Sequence, residues 1–251
     1  MQIGLIGAGA MARAMARGWR RPLLIADPIP ERAASLAAEC GGEALPDNRA
    51  VAERADLIVL AHKPPQLRAV AEELAGAPRA VASLLALTPL SALKEAYPGC
   101  PVYRFIPSLA VALRKGAVVQ AADAPQQEQL DRAVAEAFAE LGELVVLEDS
   151  QLDCAMALMS CAPAYLALVA EAQVDAGVRR GIAPAAASRL VLAALEGSAA
   201  LLAERSMDTL ALRREVSSPG GATARGLDAL ERGGLRGAFS AALDAALERR
   251  G

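Results

Sequence analysis

The chain has 251 residues, 54% of them apolar, which is enough for one larger and one smaller domain with buried cores and no covalent staples. Its 26 Lys and Arg against 29 Asp and Glu leave a formal net charge of -3, so neither nucleic acid nor an acidic membrane surface finds an electrostatic footprint. A single histidine, His62, excludes a histidine-built zinc site and a Ser-His-Asp triad, and no metal is expected.

In chain order, Gln2 to Gly7, Pro22 to Asp27, Asp56 to Ala61, Arg79 to Leu84 and Val102 to Ile106 read as strands separated by amphipathic helices, with a last strand from Leu144 to Leu147. This alternation predicts crossover units and a mostly parallel, doubly wound sheet in a Rossmann-like domain over 1-149. Beyond Asp149 the pattern becomes alanine-rich and helical, predicting an all-α domain over 150-251 with helices from Ala164 to Arg180, Pro184 to Arg205, Ala224 to Arg232 and Leu235 to Arg249. The stretch from Cys154 to Ala170 carries no charge, but it is shorter than the roughly 20 residues of a spanning helix and contains Pro163. Burial in a helical core or between subunits is therefore expected. The broad aliphatic faces of these helices predict a homodimer, or an assembly of dimers, as the working unit. The four cysteines, Cys40, Cys100, Cys154 and Cys161, form no Cys-x-x-Cys pair, and the chain opens on a strand-like run without a basic leader, so a cytoplasmic location with reduced thiols is expected.

The opening run Ile3-Gly4-Leu5-Ile6-Gly7-Ala8-Gly9-Ala10-Met11-Ala12 is a strand entering Gly-x-Gly-x-x-Ala and then a helix. Gly7 permits the tight turn, Gly9 lets backbone approach a pyrophosphate, and Ala12 allows close contact of helix and strand. The phosphates would sit on the N-terminus formed by Ala10, Met11 and Ala12, where free N–H groups and the helix dipole favour anions. Asp27 ends the second strand and has two readings. It accepts hydrogen bonds from the adenosine ribose of NAD while repelling the extra phosphate of NADP, or it caps the next helix before Pro28. A further element, Ala61-His62-Lys63-Pro64-Pro65, follows the strand from Asp56, at the edge where open α/β sheets bind ligands. Ala61 and Pro64 border this place and Lys63 would bring a positive charge to a cofactor; a solvated lysine in a turn fixed by prolines is an equally good reading.

Further along, Arg214-Glu215-Val216-Ser217-Ser218-Pro219-Gly220-Gly221-Ala222-Thr223 resembles the signature of pyrroline-5-carboxylate reductases. Pro163-Ala164-Tyr165, Glu171-Ala172 with Asp175-Ala176-Gly177-Val178, and Glu231-Arg232-Gly233-Gly234-Leu235-Arg236 are similar to other stretches of that family, so the resemblance spans essentially the whole chain. It implies an NADPH- or NADH-dependent reduction of L-1-pyrroline-5-carboxylate to L-proline, with Asn48 contacting the cofactor. It further implies that Ser218 and the amides of Gly221, Ala222 and Thr223 hold the substrate carboxylate, with Ser217 beside them, while the Thr223 hydroxyl approaches the ring nitrogen. The residues support a site by their own chemistry, since hydroxyls, two glycines and consecutive amides before a helix form a donor nest for a carboxylate. A plain interhelical turn with Ser or Thr as cap is the competing reading of that run alone.

The chain departs from the family at two places. Where the family has Met-Pro-Asn-Thr-Pro, this chain has Ile106-Pro107-Ser108-Leu109-Ala110, and where it has Ser-Gly-Ser-Gly-Pro-Ala-Tyr, this chain has Met159-Ser160-Cys161-Ala162-Pro163-Ala164-Tyr165. The first removes groups usually near nicotinamide and substrate; the second puts side chains where two glycines permit close approach. A reductase of another cyclic imine and a catalytically silent dinucleotide-binding protein are the two alternatives. A 6-phosphogluconate-type or 2-hydroxy acid dehydrogenase, sharing only the N-terminal signature, is more distant.

Overall fold

The computed structural model describes residues 1–248, and the chain divides into two compact units, Met1–Ser160 and Cys161–Gly251. Arg249, the expected end of the last helix, lies outside the described residues.

In the first unit the expected alternation is present: β1 (Ile3–Ile6), α1 (Ala10–Trp19), β2 (Leu24–Ala26), α2 (Pro30–Cys40), β3 (Glu43–Ala44), α3 (Asn48–Arg54), β4 (Leu57–Leu60), α4 (Leu67–Glu73), β5 (Val81–Ser83), α5 (Leu90–Ala96), β6 (Val102–Pro107), β7 (Gly116–Ala121), α6 (Glu128–Ala139), β8 (Gly142–Leu147) and α7 (Leu152–Ser160). The eight strands lie in the order β3-β2-β1-β4-β5-β6-β7-β8. All neighbours pair parallel except β6 with β7, so β7 and β8 run opposite to the other six. β1, β2, β4 and β5 are buried at every position, as strands covered by helices on both faces must be. Alternate residues feed two cores. Ile3, Leu5, Ile25, Leu57 and Val59 pack with α1, α2 and α6 on one face, while Ile6, Ile58, Leu60 and Val81 pack with α3, α4, α5 and α7 on the other.

Three elements of this unit were not expected from the sequence. β3 is two exposed residues with no apolar signal, β7 forms the antiparallel hairpin partner of β6, and α7 extends the unit beyond Asp149. The division after Ser160 falls eleven residues later than the composition change at 149 because Leu152 is fully buried in the second core, with Ala155, Met156 and Met159 packed against it. Arg104 on β6, only 2% exposed, clasps this segment by ion pairs to Asp149 and Asp153, both at 2.8 Å.

The second unit is helical throughout its described residues: α8 (Ala162–Val178), α9 (Pro184–Glu204), α10 (Thr209–Glu215), α11 (Ala222–Arg232) and α12 (Leu235–Leu247). The short α10 was not expected, and α11 begins two residues before the expected Ala224. α8 and α9 pack as a hairpin, yet α8 has no buried residue and α9 only Ala187. Leu166, Leu168, Leu190 and Leu192 are all more than half exposed. By length and composition, the helical stretches Asp149–Val178 and Pro184–Glu204 are long and apolar enough to cross a membrane, and the first is broken between α7 and α8 at Cys161.

Candidate active site

The glycine turn is assembled by the parallel sheet. Gly7 leaves β1 with φ +102, donates its N–H to the Ala26 carbonyl at 2.8 Å, and sits so close to the β4 exit that a Cβ would lie 2.8 Å from the Ala61 carbonyl oxygen and 3.0 Å from the His62 nitrogen. Only glycine satisfies both the conformation and the approach. Gly9 is the extended N-cap of α1, with open space where a Cβ would be and no side chain capping the helix. The amides of Ala10, Met11 and Ala12 thus begin a helix whose first-turn donors have no side-chain acceptor, while Ala12 is fully buried against the sheet, as close packing of helix on strand requires. These residues fit a dinucleotide pyrophosphate.

Asp27 does not cap α2, whose N-cap residue is Ile29. Its Oδ2 accepts the Ala8 N–H at 2.8 Å and its Oδ1 the Ile29 N–H at 2.9 Å, so it ties the exit of β2 to the glycine turn. Asn48 opens α3, half-buried, and its Nδ2 donates to Glu73 Oε2 at 2.6 Å. Ala61 donates to the Ile6 carbonyl at 2.8 Å, keeping β4 in register with β1 where the turn starts. Pro64 opens a single 3-10 turn, Pro64–Gln66, and the Lys63 amide donates to Gln66 Oε1 at 3.0 Å, with its side chain exposed.

His62 drew no functional reading from the sequence beyond the chemistries it excludes. Its Nδ1 lies 2.9 Å from the Lys63 carbonyl, while its Nε2 is enclosed without a hydrogen-bond partner. Burial pushes its pKa down, opposed by the Lys63 carbonyl and the charge of Glu73, so the neutral ring is favoured.

In the second unit the Ser-Gly run links α10 to α11. Gly220 takes φ +66, Gly221 is the extended N-cap of α11, and no side chain caps that helix either. The Gly221 N–H, expected to face a carboxylate, instead closes the turn on the Ser218 carbonyl at 2.9 Å, which leaves the Ala222 and Thr223 amides as the donors at this helix start. A Cβ on Gly221 would lie 2.3 Å from Ser218 Oγ, which places the Ser218 hydroxyl over the helix start. Ala222 and Thr223 are the first two helical residues, both exposed, so the Thr223 hydroxyl is neither a cap nor buried. Ser217 Oγ is enclosed and without a partner. The neighbouring Glu215 is paired to Arg205, whose guanidinium holds the carboxyl below its ordinary range; it stays anionic and is no proton donor. Among the described residues no cluster of His, Cys, Asp or Glu could hold a metal ion.

Both departures from the family pattern have structural consequences. Ser108 is buried, donating its N–H to the Ala117 carbonyl at 2.9 Å and accepting the Ala117 N–H on Oγ at 3.0 Å, so its polar group closes the β6–β7 hairpin. Leu109 beside it is 51% exposed. Cys161 precedes α8 and its carbonyl accepts the N–H groups of Ala164 and Tyr165, while Ala162 is the first helical residue.

A doubly wound sheet with a glycine turn at its first crossover, followed by a helical unit with its own uncapped, glycine-led helix, defines a Rossmann-type oxidoreductase. The chain belongs to the pyrroline-5-carboxylate reductase family. It is 35% identical to the pyrroline-5-carboxylate reductase of Thermus thermophilus over 99% of this chain and 97% of that protein, and 31% identical to that of Corynebacterium melassecola over 98% and 96%. The family model for pyrroline-5-carboxylate reductase dimerisation matches residues 149–251, and one for NADP oxidoreductase, coenzyme F420-dependent, matches residues 2–86. Among solved structures, a pyrroline-5-carboxylate reductase from Coxiella burnetii superposes with a TM-score of 0.88 at 27% identity, covering 98% of this chain and 96% of that one. The expected fold class and family are thereby borne out.

Proposed function

We propose that the chain reduces L-1-pyrroline-5-carboxylate to L-proline with NADPH or NADH, as a homodimer or an assembly of dimers, in the cytoplasm. The observation that carries this reading is the α11 start, where Gly221 leaves first-turn amides uncapped beneath the Ser218 hydroxyl. Free helix N-terminal donors with an overlying hydroxyl suit a carboxylate.

When bound, the reduced nicotinamide would supply a hydride for the C=N carbon, the π pair of that bond passing to the ring nitrogen. The protein's part is placement and electrostatics. Gly7, Gly9 and the amides of Ala10, Met11 and Ala12 hold the pyrophosphate, with Asp27, Asn48, Ala61, Lys63 and Pro64 bordering the rest of the cofactor. Ser218 and the amides of Ala222 and Thr223 hold the substrate carboxylate, with Gly221 setting the turn through its N–H bond to the Ser218 carbonyl at 2.9 Å. Ser217 offers its enclosed hydroxyl behind them, and Thr223 Oγ1 accepts from the ring N–H. No residue needs to act as a strong acid, because the imine enters already protonated.

The exposed leucines of α8 and α9 support covering by a second copy of the chain, and this, rather than a lipid bilayer, explains the two apolar stretches. The direct test supplies purified protein with NADH or NADPH and L-1-pyrroline-5-carboxylate, following cofactor oxidation and proline together. Proline formed in proportion to cofactor oxidised is expected. Reduction of another cyclic imine with none of this one would replace the substrate, and a monodisperse monomer by light scattering at micromolar concentration would remove the dimer.

A further inference from the structure

We infer that Asp27 makes this chain select NADH over NADPH. The inference rests on the functional reading above only in placing a nicotinamide dinucleotide at the glycine turn. A surface carboxylate ordinarily swings away from an approaching anion, and Asp27 is not free to do so. Its Oδ2 accepts the Ala8 N–H at 2.8 Å and its Oδ1 accepts the Ile29 N–H at 2.9 Å. Rotation about its side-chain torsions breaks both bonds, and Ala8, 3% exposed, is then left with an N–H that water cannot easily reach. The negative charge is therefore fixed at the carboxyl end of β2, against the turn that receives the pyrophosphate. Each carboxylate oxygen keeps a lone pair after these bonds, so the group still accepts from the vicinal ribose hydroxyls that NADH presents. NADPH puts a phosphate there instead, with about 1.5 to 2 negative charges near neutral pH.

The turn after Asp27 and the arginines of α3 add no fixed compensation. The turn after Asp27 runs Pro28-Ile29-Pro30-Glu31, which brings a second carboxylate, and Pro30, the first residue of α2, has no N–H to offer a phosphate. Of the guanidinium groups on α3, Arg49 is paired to Glu53 at 3.1 Å and Arg54 to Glu43 at 2.6 Å. Arg32, exposed in the first turn of α2, is the cation in this segment that a phosphate could recruit, and it is included in the test.

The test is direct binding of NADH and NADPH to the intact protein by isothermal titration calorimetry, without imine. For charges roughly 5 Å apart under water-like screening, repulsion corresponds to about a tenfold weaker Kd for NADPH. This ratio should shrink as salt is raised, because exposed charges are screened. Asp27→Asn keeps the shape and one acceptor while removing the charge, and Asp27→Ser removes both; each should bring the ratio close to one, with circular dichroism confirming that the variants fold. Equal affinities in the unaltered protein, or a ratio that survives in both variants, overturns the inference and leaves the reductase reading standing. So does Arg32→Ala if it selectively weakens NADPH, because the phosphate then has a cation partner. If neither dinucleotide binds at millimolar concentration, the functional reading itself falls and the selectivity with it.

Discussion

The glycine turn of the first unit and the Ser-Gly run of the second use the same local device in opposite surroundings. Each leads into a helix through a positive-φ glycine, Gly7 in one and Gly220 in the other, and each helix starts at an extended glycine N-cap that no side chain caps, Gly9 with φ -74 and ψ -173, Gly221 with φ -68 and ψ 173. Both leave first-turn donors facing outward, which is the physical requirement for holding an anion. What differs is the support. Behind α1 stand Ala12, Met15 and Trp19, all at most 2% exposed, whereas α11 has no buried residue. A cofactor site can thus be completed by the first unit's own core. The proposed substrate nest depends on a short turn and on whatever covers the apolar helices around it.

This contrast can be broken most sharply at Gly7. Gly7→Ala forces a non-glycine residue to φ +102 and drives a Cβ to 2.8 Å from the Ala61 carbonyl, whose position is fixed by strand pairing. Backbone strain of about 1–3 kcal/mol is expected from conformation alone. Its signature is a melting temperature lower by roughly 2–12 °C, together with loss of dinucleotide binding by calorimetry. Unchanged stability and affinity would show that the turn is not the rigid half of the comparison.

A smaller effect, confined to catalysis, is expected at Thr223. Thr223→Val keeps the side-chain shape and removes the hydroxyl, and losing a hydrogen bond to a charged partner costs about 1.5–3 kcal/mol. That corresponds to roughly a tenfold to hundredfold fall in kcat/KM, with cofactor Kd unaltered. Because α11 is capped by Gly221 and not by Thr223, the melting temperature should hold. A stability loss with intact kcat/KM would instead make this threonine a structural residue.

The smallest effect concerns the chain's only histidine. Burial depresses the His62 pKa, so the unfolded chain binds more protons than the native one below the ordinary histidine pKa of about 6.5. Stability associated with the neutral ring is present above that pH and is lost as pH falls toward the depressed value. The melting temperature should therefore decline from pH 7 to about pH 5.5 in a component that His62→Gln abolishes. An identical pH profile in the variant would mean the ring is solvated in the native protein.

The sequence shows the first unit more clearly than the second, for reasons visible in particular residues. β1, β4 and β5 are apolar at nearly every position because both sheet faces are covered, and their runs announce themselves. β3 carries only Glu43 and Ala44, both exposed, and is held by its pairing with β2 rather than by any pattern. The turn role of Gly7 and Gly9 follows from their spacing after a strand. The grip of Asp27 on Ala8 does not, since the two are nineteen residues apart and meet only when β1 and β2 pair. Similarly, Ser108 reads as a lost polar contact at a ligand edge, while the fold spends its hydroxyl on Ala117, nine residues away across a hairpin that the sequence did not disclose. In the helical unit, periodicity marks the long helices, but α10 is seven residues between turns and too short to carry a period.

If the uncapped start of α11 holds the substrate's carboxylate, as proposed, two rings that differ only in that group separate its contribution from the rest of the site. Steady-state kinetics with L-1-pyrroline-5-carboxylate and with 1-pyrroline, which lacks the carboxylate, should be measured for the unaltered protein, for Ser218→Ala, and for Gly221→Ala, whose new Cβ displaces the Ser218 hydroxyl. Both variants are expected to raise KM for the carboxylate-bearing ring by about tenfold, the loss of a hydrogen bond to a charged group, and to leave kcat/KM for 1-pyrroline unchanged. Equal losses with both rings, or no loss with either, would contradict that placement.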